Sequence, residues 1–500
     1  MDQTTVVLRC DASTEIGRGH VARCRAVAAA LRQRETRVLL LSFDLSGPLR
    51  EDFAKLECSV IDLRSSAHPG EVVRVLERED ATGPSTTMLV DHYGLDASWE
   101  SEVRSVVGRL AALEDRPHRR HEVDLLIDAG GGAERPARYA ELLPADAQIV
   151  TGHDHAIIDP LYGRLHDRLP VRDGEVRRVL VQLGSDRSDL VVRVLRALAA
   201  LEKPSLEVDV VLPGDHRYLQ QVKEFAAAHE WRVHCDVARI WRLYSLVDLA
   251  VAAPGVSVWE RCALGVPSVV IETTAMHAGA YEDLGTSPAV TRLGPAAGLD
   301  DASLRAALDH EVRRTDLEAR SSACRNLIDG RGAHRVASLL TVGPTSRFRL
   351  RDAGPQDEER LLRWANDRHT RAWSFGQARI EPEEHRRWLV TQLRSIADRH
   401  LYVLEDSWGT ELGIGRFERD LDVWKMSLTL GPGYRERGLA KAIVDLPRRQ
   451  LVEDVGTPCV IEATVRTVRP GAGRVLARLG FEIIAREEDA SAVTYRWTAS

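Results

Sequence analysis

The chain is short of several things that would point to other classes of protein. None of its 500 residues form an apolar run of 18, the length a bilayer-spanning helix needs. The seven cysteines (Cys10, Cys24, Cys58, Cys235, Cys262, Cys324 and Cys459) are scattered, odd in number and never spaced as CxxC. That argues against a disulfide framework or a zinc site and for reduced thiols. Positive charge is in deficit, with 68 Lys and Arg against 75 Asp and Glu and a net charge of -7. No basic cluster stands out, so there is no electrostatic footprint for a nucleic-acid backbone. The opening MDQTTVVLRC carries no basic stretch before its first strand, so a signal peptide is not expected. There is no internal repeat and no low-complexity tract. These absences predict a soluble, cytoplasmic protein with small-molecule ligands, no membrane or nucleic-acid partner and no metal.

What is present is ordinary globular material, 44% hydrophobic and 29% charged, long enough for two to four domains. Over the first two thirds, short β-branched runs alternate with amphipathic stretches. Residues 5–8, 37–42, 87–90 and 124–127 read as strands, and 21–32 as a helix. The rhythm pauses in a loop-like stretch over 150–175. It restarts with strands at 178–182, 207–212, 247–252 and 268–271 and helices at 190–201 and 259–264. Tandem βα runs predict an α/β architecture of two Rossmann-like halves, residues 1–155 and 156–342, with ligands at the carboxyl ends of the strands. After the connector TVGPTSRFRLR the pattern changes to an α+β unit over 346–500. Helices are expected at 356–366, 382–397, 438–445 and 472–479, and strands at 400–405, 412–417, 424–430 and 459–465.

Two segments carry chemistry in the first two thirds. Ile16-Gly17-Arg18-Gly19-His20 leaves a strand and opens a helix. Glycines let backbone approach a ligand, amides at a helix start suit anions, and a histidine there serves as acid or base. The second segment, LAVAAPGVSVWERCALGVPSVV over 249–270, offers amide and hydroxyl donors at Gly255 and Ser257. Glu260, expected on the first helical turn, suits a ribose diol, although an acid there also favours the helix dipole.

These patterns resemble the nucleotide-sugar-binding half of GT-B glycosyltransferases. More closely, residues 1–290 resemble the UDP-sugar hydrolase of pseudaminic acid biosynthesis. The resemblance rests on Arg9, Asp11, Ser13, Gly17, Gly19, His20, Arg23 and Cys24, on Asp91-His92-Tyr93, and on the stretch from Trp259 to Pro267. It implies hydrolysis of a UDP-linked 2,4-diacetamido-2,4,6-trideoxy sugar. His20 would orient or deprotonate water, Tyr93 would assist at the sugar with Asp11 beside it, and Glu260 would hold the uridine. Gly17, Gly19, Arg23, Gly184, Ser185, Gly255, Ser257 and His277 would complete the substrate site. Departures fall on the sugar side: Glu114-Asp115 for Asp-Asp, Asp128-Ala129-Gly130 for Asn-Gln-Asn, Leu183-Gly184-Ser185-Asp186 for the Gly-Gly-Ser-Asp turn, and Met276-His277 for Asn-Gln.

In the last third, LTLGPGYRERGLAKA places Arg435-x-x-Gly438-x-Ala440 between a strand and a helix. Successive amides at a helix start bind a diphosphate, and Gly438 permits close approach. With VIEATVR and ARLGFE following in order, the unit resembles GNAT acetyltransferases. That implies acetyl-CoA held by Leu430, Arg435, Arg437, Gly438, Leu439 and Ala440. Trp364-x-Asn366-Asp367, Arg371, Ser374 and Glu383-Glu384-His385-x-x-Trp388 resemble the subgroup acetylating the 4-amino group of UDP-linked 4-amino-4,6-dideoxy sugars. Trp388 also suits core packing. Glu418, expected on the unit's fourth strand, is a candidate base, with Asn366 and His385 on the substrate side. The positions of the family's Asn and Tyr hold Arg469 and Leu476, so no acid is named. The two resemblances together imply a bifunctional enzyme that acetylates a UDP-amino sugar and then releases UDP. The rivals are a UDP-sugar-dependent glycosyltransferase fused to the GNAT unit, and a catalytically silent sugar-nucleotide-binding domain beside an active one.

Overall fold

The computed structural model describes residues 4–11, 19–65, 68–132, 134–184, 186, 188–273, 287–395, 397–467, 470–487 and 491–499. The chain divides into two compact units, Met1–Ala337 and Ser338–Ser500.

Among the described residues the first unit holds two sheets, both wholly parallel. The first comprises β1 (Thr5–Cys10), β2 (Arg37–Ser42), β3 (Ser59–Asp62), β4 (Gly83–Asp91), β5 (Val107–Leu113), β6 (Leu125–Asp128) and β7 (Gln148–Thr151). Their order is β3-β2-β1-β4-β5-β6-β7. The second comprises β8 (Arg178–Gln182), β9 (Glu207–Leu212), β10 (Arg232–Cys235), β11 (Leu249–Ala252), β12 (Ser268–Glu272) and β13 (Val290–Pro295), in the order β10-β9-β8-β11-β12-β13. Strands such as TVVLRC and LAVA are buried along their whole length, because helices cover both faces of each sheet. The order reverses between β1 and β4 and again between β8 and β11. These reversals open the crevices where doubly wound sheets take ligands. Two Rossmann-like halves are therefore present, as the rhythm predicts.

The 150–175 stretch is not wholly a loop. It begins at the end of β7 and contains the helix Leu161–Arg168, which buries Tyr162. Its LYGRLHDR sequence has only three apolar residues, too few for the helical period to stand out.

In the second unit the described strands are β14 (Phe348–Asp352), β15 (Arg399–Asp406), β16 (Glu411–Asp420), β17 (Val423–Leu430), β18 (Cys459–Arg466), β19 (Glu482–Arg486) and β20 (Ala492–Ala499). They form one mixed sheet in the order β14-β15-β16-β17-β18-β20-β19. Its one parallel pair, β17 with β18, is joined only at Val423↔Val460, Trp424↔Ile461 and Lys425↔Glu462. Beyond Lys425 the two strands diverge, leaving a V open toward Leu430. Glu418 lies on β16, the third strand of the unit rather than the fourth, because β14 and β15 are the only described strands before it. The helix expected over 438–445 runs as Ala440–Val455, straight through Pro447. A proline ordinarily ends a helix. Here its ring is buried against Gly415, where an added Cβ would stand 2.7 Å from the Pro447 ring.

Candidate functional site

In the first unit, the described part of the GxGH segment begins at Gly19, the first residue of the helix Gly19–Arg32. Gly17, like Ser185 and His277, lies outside the described residues. His20 is buried, with its Nδ1 against the Asp91 carboxylate at the end of β4. Arg23, one helical turn on, donates to the same carboxylate at 2.6 and 2.9 Å and to Asp115 at 3.2 Å. Tyr93 donates its hydroxyl to Asp115 at 2.9 Å and packs edge-on against the His20 ring at 4.5 Å. The Arg116 guanidinium covers its other side. Three of the residues picked out by sequence, His20, Arg23 and Tyr93, thus meet at the β1/β4 reversal.

The charges of this cluster are fixed. Burial pushes the Asp91 carboxyl up, but Arg23 and His20 outweigh it and hold it at about 2. An ionised Asp91 is an acceptor for an Nδ1–H of His20, and in that tautomer Nε2 carries the lone pair. Tyr93 stays a phenol, pushed well up by burial and then by Asp115. It therefore donates hydrogen bonds and does not act as a base.

Asp115 is itself held. The Glu114 carboxylate accepts from the amides of Asp115 and Arg116, both at 3.0 Å. It is gripped by Arg119 at 3.0 Å and by His121 at 3.4 Å, and His121 also contacts Glu100 at 2.8 Å. Glu100, Glu114 and His121 are all buried.

Asp11 belongs to a different network. It is buried, paired with Arg9, and accepts from the Phe43 amide at 2.7 Å, with His92 at 3.2 Å. Burial pushes its carboxyl up, but hydrogen bonds from His92 and Arg9 hold it at about 2. It ties together the ends of β1, β2 and β4, and none of its hydrogen bonds goes to His20.

A cleft in this unit is lined by Arg23, Asp115, Arg135, His153 and His155 from the first half and by Trp259 from the second. Trp259 stands on the helix Val256–Ala263, directly after Gly255 at the β8/β11 reversal. Gly255 has φ +153° and Gly184, after β8, has φ +66°, both conformations that favour glycine. Ser257 is on the first turn of that helix. Glu260 is one turn further on than the sequence suggested, because the helix starts at Val256 and not near Trp259. A role as a first-turn acid complementing the dipole therefore falls away. Burial pushes its carboxyl up to about 7, against the opposing effects of Arg261 and of a hydrogen bond from Tyr162.

In the second unit the segment after β17 has the shape of an anion cradle. Gly438 has φ +74°, and an added Cβ would meet Pro344 at 3.0 Å. Leu439 precedes Ala440, the first residue of a 16-residue helix whose initial amides have no intrahelical acceptor. The two arginines play another part. Arg435 is buried, pairs with Asp367 at 2.6 Å and donates to Thr370 at 2.8 Å. Arg437 donates to the carbonyls of Val342 and Leu340, at the end of helix Gly332–Thr341. Both side chains thereby tie the loop to neighbouring segments of the unit.

Asn366 gives its whole amide to Ile380, donating to the carbonyl at 2.8 Å and accepting from the amide at 2.9 Å. It fixes the Ser374–Ile380 loop, which Arg371 also holds through Gly376 and Ala378. His385 is buried beside Trp388, its pKa pushed down by burial, which keeps it neutral. Glu418 accepts from Gln392 at 2.7 Å and lies opposite Lys425, at the closed end of the V. From Lys425 to Leu430 is about 17 Å of extended strand, so Glu418 stands far from the Gly438 loop.

Sequence reasoning missed Asp91 as the partner of His20, although the Asp-His-Tyr motif contained it. It also missed the Glu114–His121 support and the Asp367–Arg435 pair. Among the described residues no group of three or more His, Cys, Asp or Glu side chains is arranged to hold a metal ion. Likewise, no helix among them is long and apolar enough to cross a membrane.

Comparison with known proteins accords with this division. Residues 347–482 match the acetyltransferase (GNAT) domain family. The second unit is a GNAT acetyltransferase domain, a class whose acyl donor is acetyl-CoA. The first unit has a GT-B glycosyltransferase-like fold. MurG of Acinetobacter baumannii superposes with a TM-score of 0.50 at 15% identity, covering 67% of this chain and 99% of that one. The uncharacterised protein MJ1062 of Methanocaldococcus jannaschii is 20% identical over 410 residues, 77% of this chain and 78% of that protein. The spore coat polysaccharide biosynthesis protein SpsG of Bacillus subtilis is 21% identical over 336 residues, 66% of this chain and 96% of that protein.

Proposed function

We propose that the chain is a bifunctional nucleotide-sugar enzyme. The second unit would transfer an acetyl group to the 4-amino group of a UDP-linked amino-deoxy sugar, and the first would hydrolyse the UDP-sugar to free sugar and UDP. The observation that carries the hydrolase half is the buried His20–Asp91 pair, braced by Arg23, close to a cleft that the helix bearing Ser257 and Glu260 also enters.

In this reading Nε2 of His20 takes a proton from water as the water oxygen bonds to the anomeric carbon. The bond from that carbon to the diphosphate oxygen breaks, and its electron pair leaves with UDP. Backbone amides and Ser257 at the start of helix Val256–Ala263 meet the departing negative charge. Glu260 accepts from the ribose. Arg23, Asp91 and Asp115 act as positioning residues behind His20 and Tyr93. Kinship with a spore coat polysaccharide protein supports a sugar substrate.

For the acetyl step, the Gly438–Ala440 amides hold the donor's diphosphate and the open V receives its arm. Acetyl-CoA supplies the activated acyl group. The sugar's neutral amine bonds to the thioester carbonyl carbon, and the C–S bond breaks with its electron pair leaving on CoA sulfur. The proton lost by the nitrogen ends on that thiolate, giving the amide and free CoA thiol.

The test is mass spectrometry of products formed by the full chain with acetyl-CoA and a UDP-4-amino-4,6-dideoxy-HexNAc. Acetylated free sugar plus UDP is expected, with UDP release lost in His20→Ala and acetylation retained. Acetylated UDP-sugar with no UDP release would refute the hydrolase half. A new glycoside formed on an added acceptor would replace it with a transferase.

A further inference from the structure

Arg261 is fully buried, at 0% exposure, and every hydrogen bond it makes goes to a neutral oxygen. Its Nε donates to Ser268 Oγ at 2.9 Å, and its Nη1 donates to Gln182 Oε1 at 3.2 Å and to Ser257 Oγ at 3.1 Å. Its Nη2 is buried with no hydrogen-bond acceptor. No carboxylate among the described residues is within ion-pair distance. Its neighbour Glu260 feels the guanidinium but accepts its hydrogen bond from Tyr162. Gln182 is also engaged, accepting from Tyr244 at 2.8 Å.

A guanidinium does not lose its proton in a protein, so this is a full positive charge in the interior with no ion-pair partner among the described residues. Such a charge is strongly unfavourable unless an anion comes close. It lies one helical turn below the start of helix Val256–Ala263, where the amides are also electropositive, and it reaches that turn through Ser257. At Gly255, just above that start, none of the described residues comes within 4 Å of where a Cβ would be.

We infer that Arg261 is the buried counter-charge of a diphosphate bound at the start of helix Val256–Ala263, acting through Ser257 without touching the ligand. The inference rests on the nucleotide-binding part of the proposed function and assigns the discrimination between a diphosphate and an uncharged nucleoside to one interior residue. Arg261 is thus a positioning residue whose charge, rather than its packing, matters.

The experiment is calorimetric titration of the full chain with UDP and with uridine, alongside thermal unfolding without ligand, for wild type, Arg261→Met and Arg261→Lys. Arg261→Met is expected to weaken UDP by roughly thirtyfold and uridine by less than about twofold, since a full charge about 8 Å from an anion, at the screening of a protein interior, carries an effect of that order. Its unliganded melting temperature is expected to hold or rise, because removing an uncompensated buried charge relieves the fold. Arg261→Lys, which keeps the charge, is expected to retain most of the preference for UDP. It also serves as the readout if the Met variant does not fold. Equal losses for UDP and uridine, a sharp drop in melting temperature with unchanged selectivity, or a Lys variant that loses the whole preference would each overturn the inference. Selectivity that depends on Arg261 in a protein that never releases UDP from a UDP-sugar would sink the hydrolase reading alone. Turnover with Arg261→Met selectivity intact would sink this inference alone.

Discussion

The Asp91 carboxylate is shared between His20 and Arg23, receiving the ring Nδ1 of one and two guanidinium nitrogens of the other. All three meet in one crevice, Asp91 from the end of β4 and the other two from successive turns of the helix Gly19–Arg32 that follows β1. The arrangement fixes the direction of the imidazole, and the Nδ1–H tautomer is the one that donates to the carboxylate.

Asp91→Asn is therefore expected to behave nearly as badly as His20→Ala. An asparagine can present its NH2 to Nδ1, which moves the ring proton to Nε2 and removes the base. UDP release, followed by a coupled assay, is expected to fall by about 100-fold or more in both variants. Acetyl transfer is expected to stay at the wild-type rate. An Asp91→Asn protein as active as wild type would show that the tautomer is set by something else.

Glu260 gives the nucleotide site a pH dependence. Its carboxyl titrates near 7 in the folded chain, so it is protonated below that and an acceptor above it. Affinity for uridine, which has no phosphate to titrate in this range, is expected to rise between pH 6 and pH 8. In Glu260→Gln the profile is expected to be flat. The same shift has the opposite sign for the unliganded fold. The folded pKa lies above the unfolded one, so stability falls as pH rises from ~4.5 toward 7. Titrations in which wild type is also flat would remove Glu260 from the ribose site.

The buried His121 makes a second, separable pH effect. Burial alone would lower its pKa, but Glu100 and Glu114 outweigh it and raise it. Its stabilising contribution is then fully present below ~6.5 and lost as pH rises through the raised folded value. Melting temperatures across pH 5.5 to 8.5 are expected to decline at the alkaline end for wild type and to lose that slope in His121→Gln. Because Glu114 holds the Asp115 segment, the variant is also expected to release UDP more slowly. An unchanged slope would mean that the two glutamates are balanced by Arg119 without the histidine.

In the acetyltransferase unit, Asp367→Asn breaks the pair that holds Arg435 in place. Charge-assisted hydrogen bonds of this kind contribute about 1.5–3 kcal/mol. The KM for acetyl-CoA is expected to rise roughly tenfold, with kcat at saturating donor nearly unchanged. A fall in kcat alone would place Asp367 at the reacting atoms instead.

Much of the fold was legible because parallel strands buried on both faces are written as short apolar runs, and β2, β8 and β9 match those runs end to end. The helix Leu161–Arg168 escaped notice for lack of an apolar stripe, and the extension past Pro447 because the Gly415 its ring packs against lies on another element. Site residues were legible where a motif holds them close in sequence, as with His20 and Arg23. Roles set by long-range partners were not. The partners of Arg435 and Asp11 could not be read, because Asp367 lies far from the one in sequence and the Phe43 amide far from the other.

The Asp367 carboxylate also caps the helix Arg368–Trp373, accepting from the amides of His369 and Thr370 at 3.1 Å. One side chain thereby belongs both to the loop before helix Ala440–Val455, where the donor is proposed to bind, and to the helix that leads into the 374–380 loop, proposed to face the acceptor. Two binding events that lean on a common strut cannot be energetically independent. By thermodynamic reciprocity, whatever factor a bound donor contributes to acceptor affinity, a bound acceptor returns to the donor.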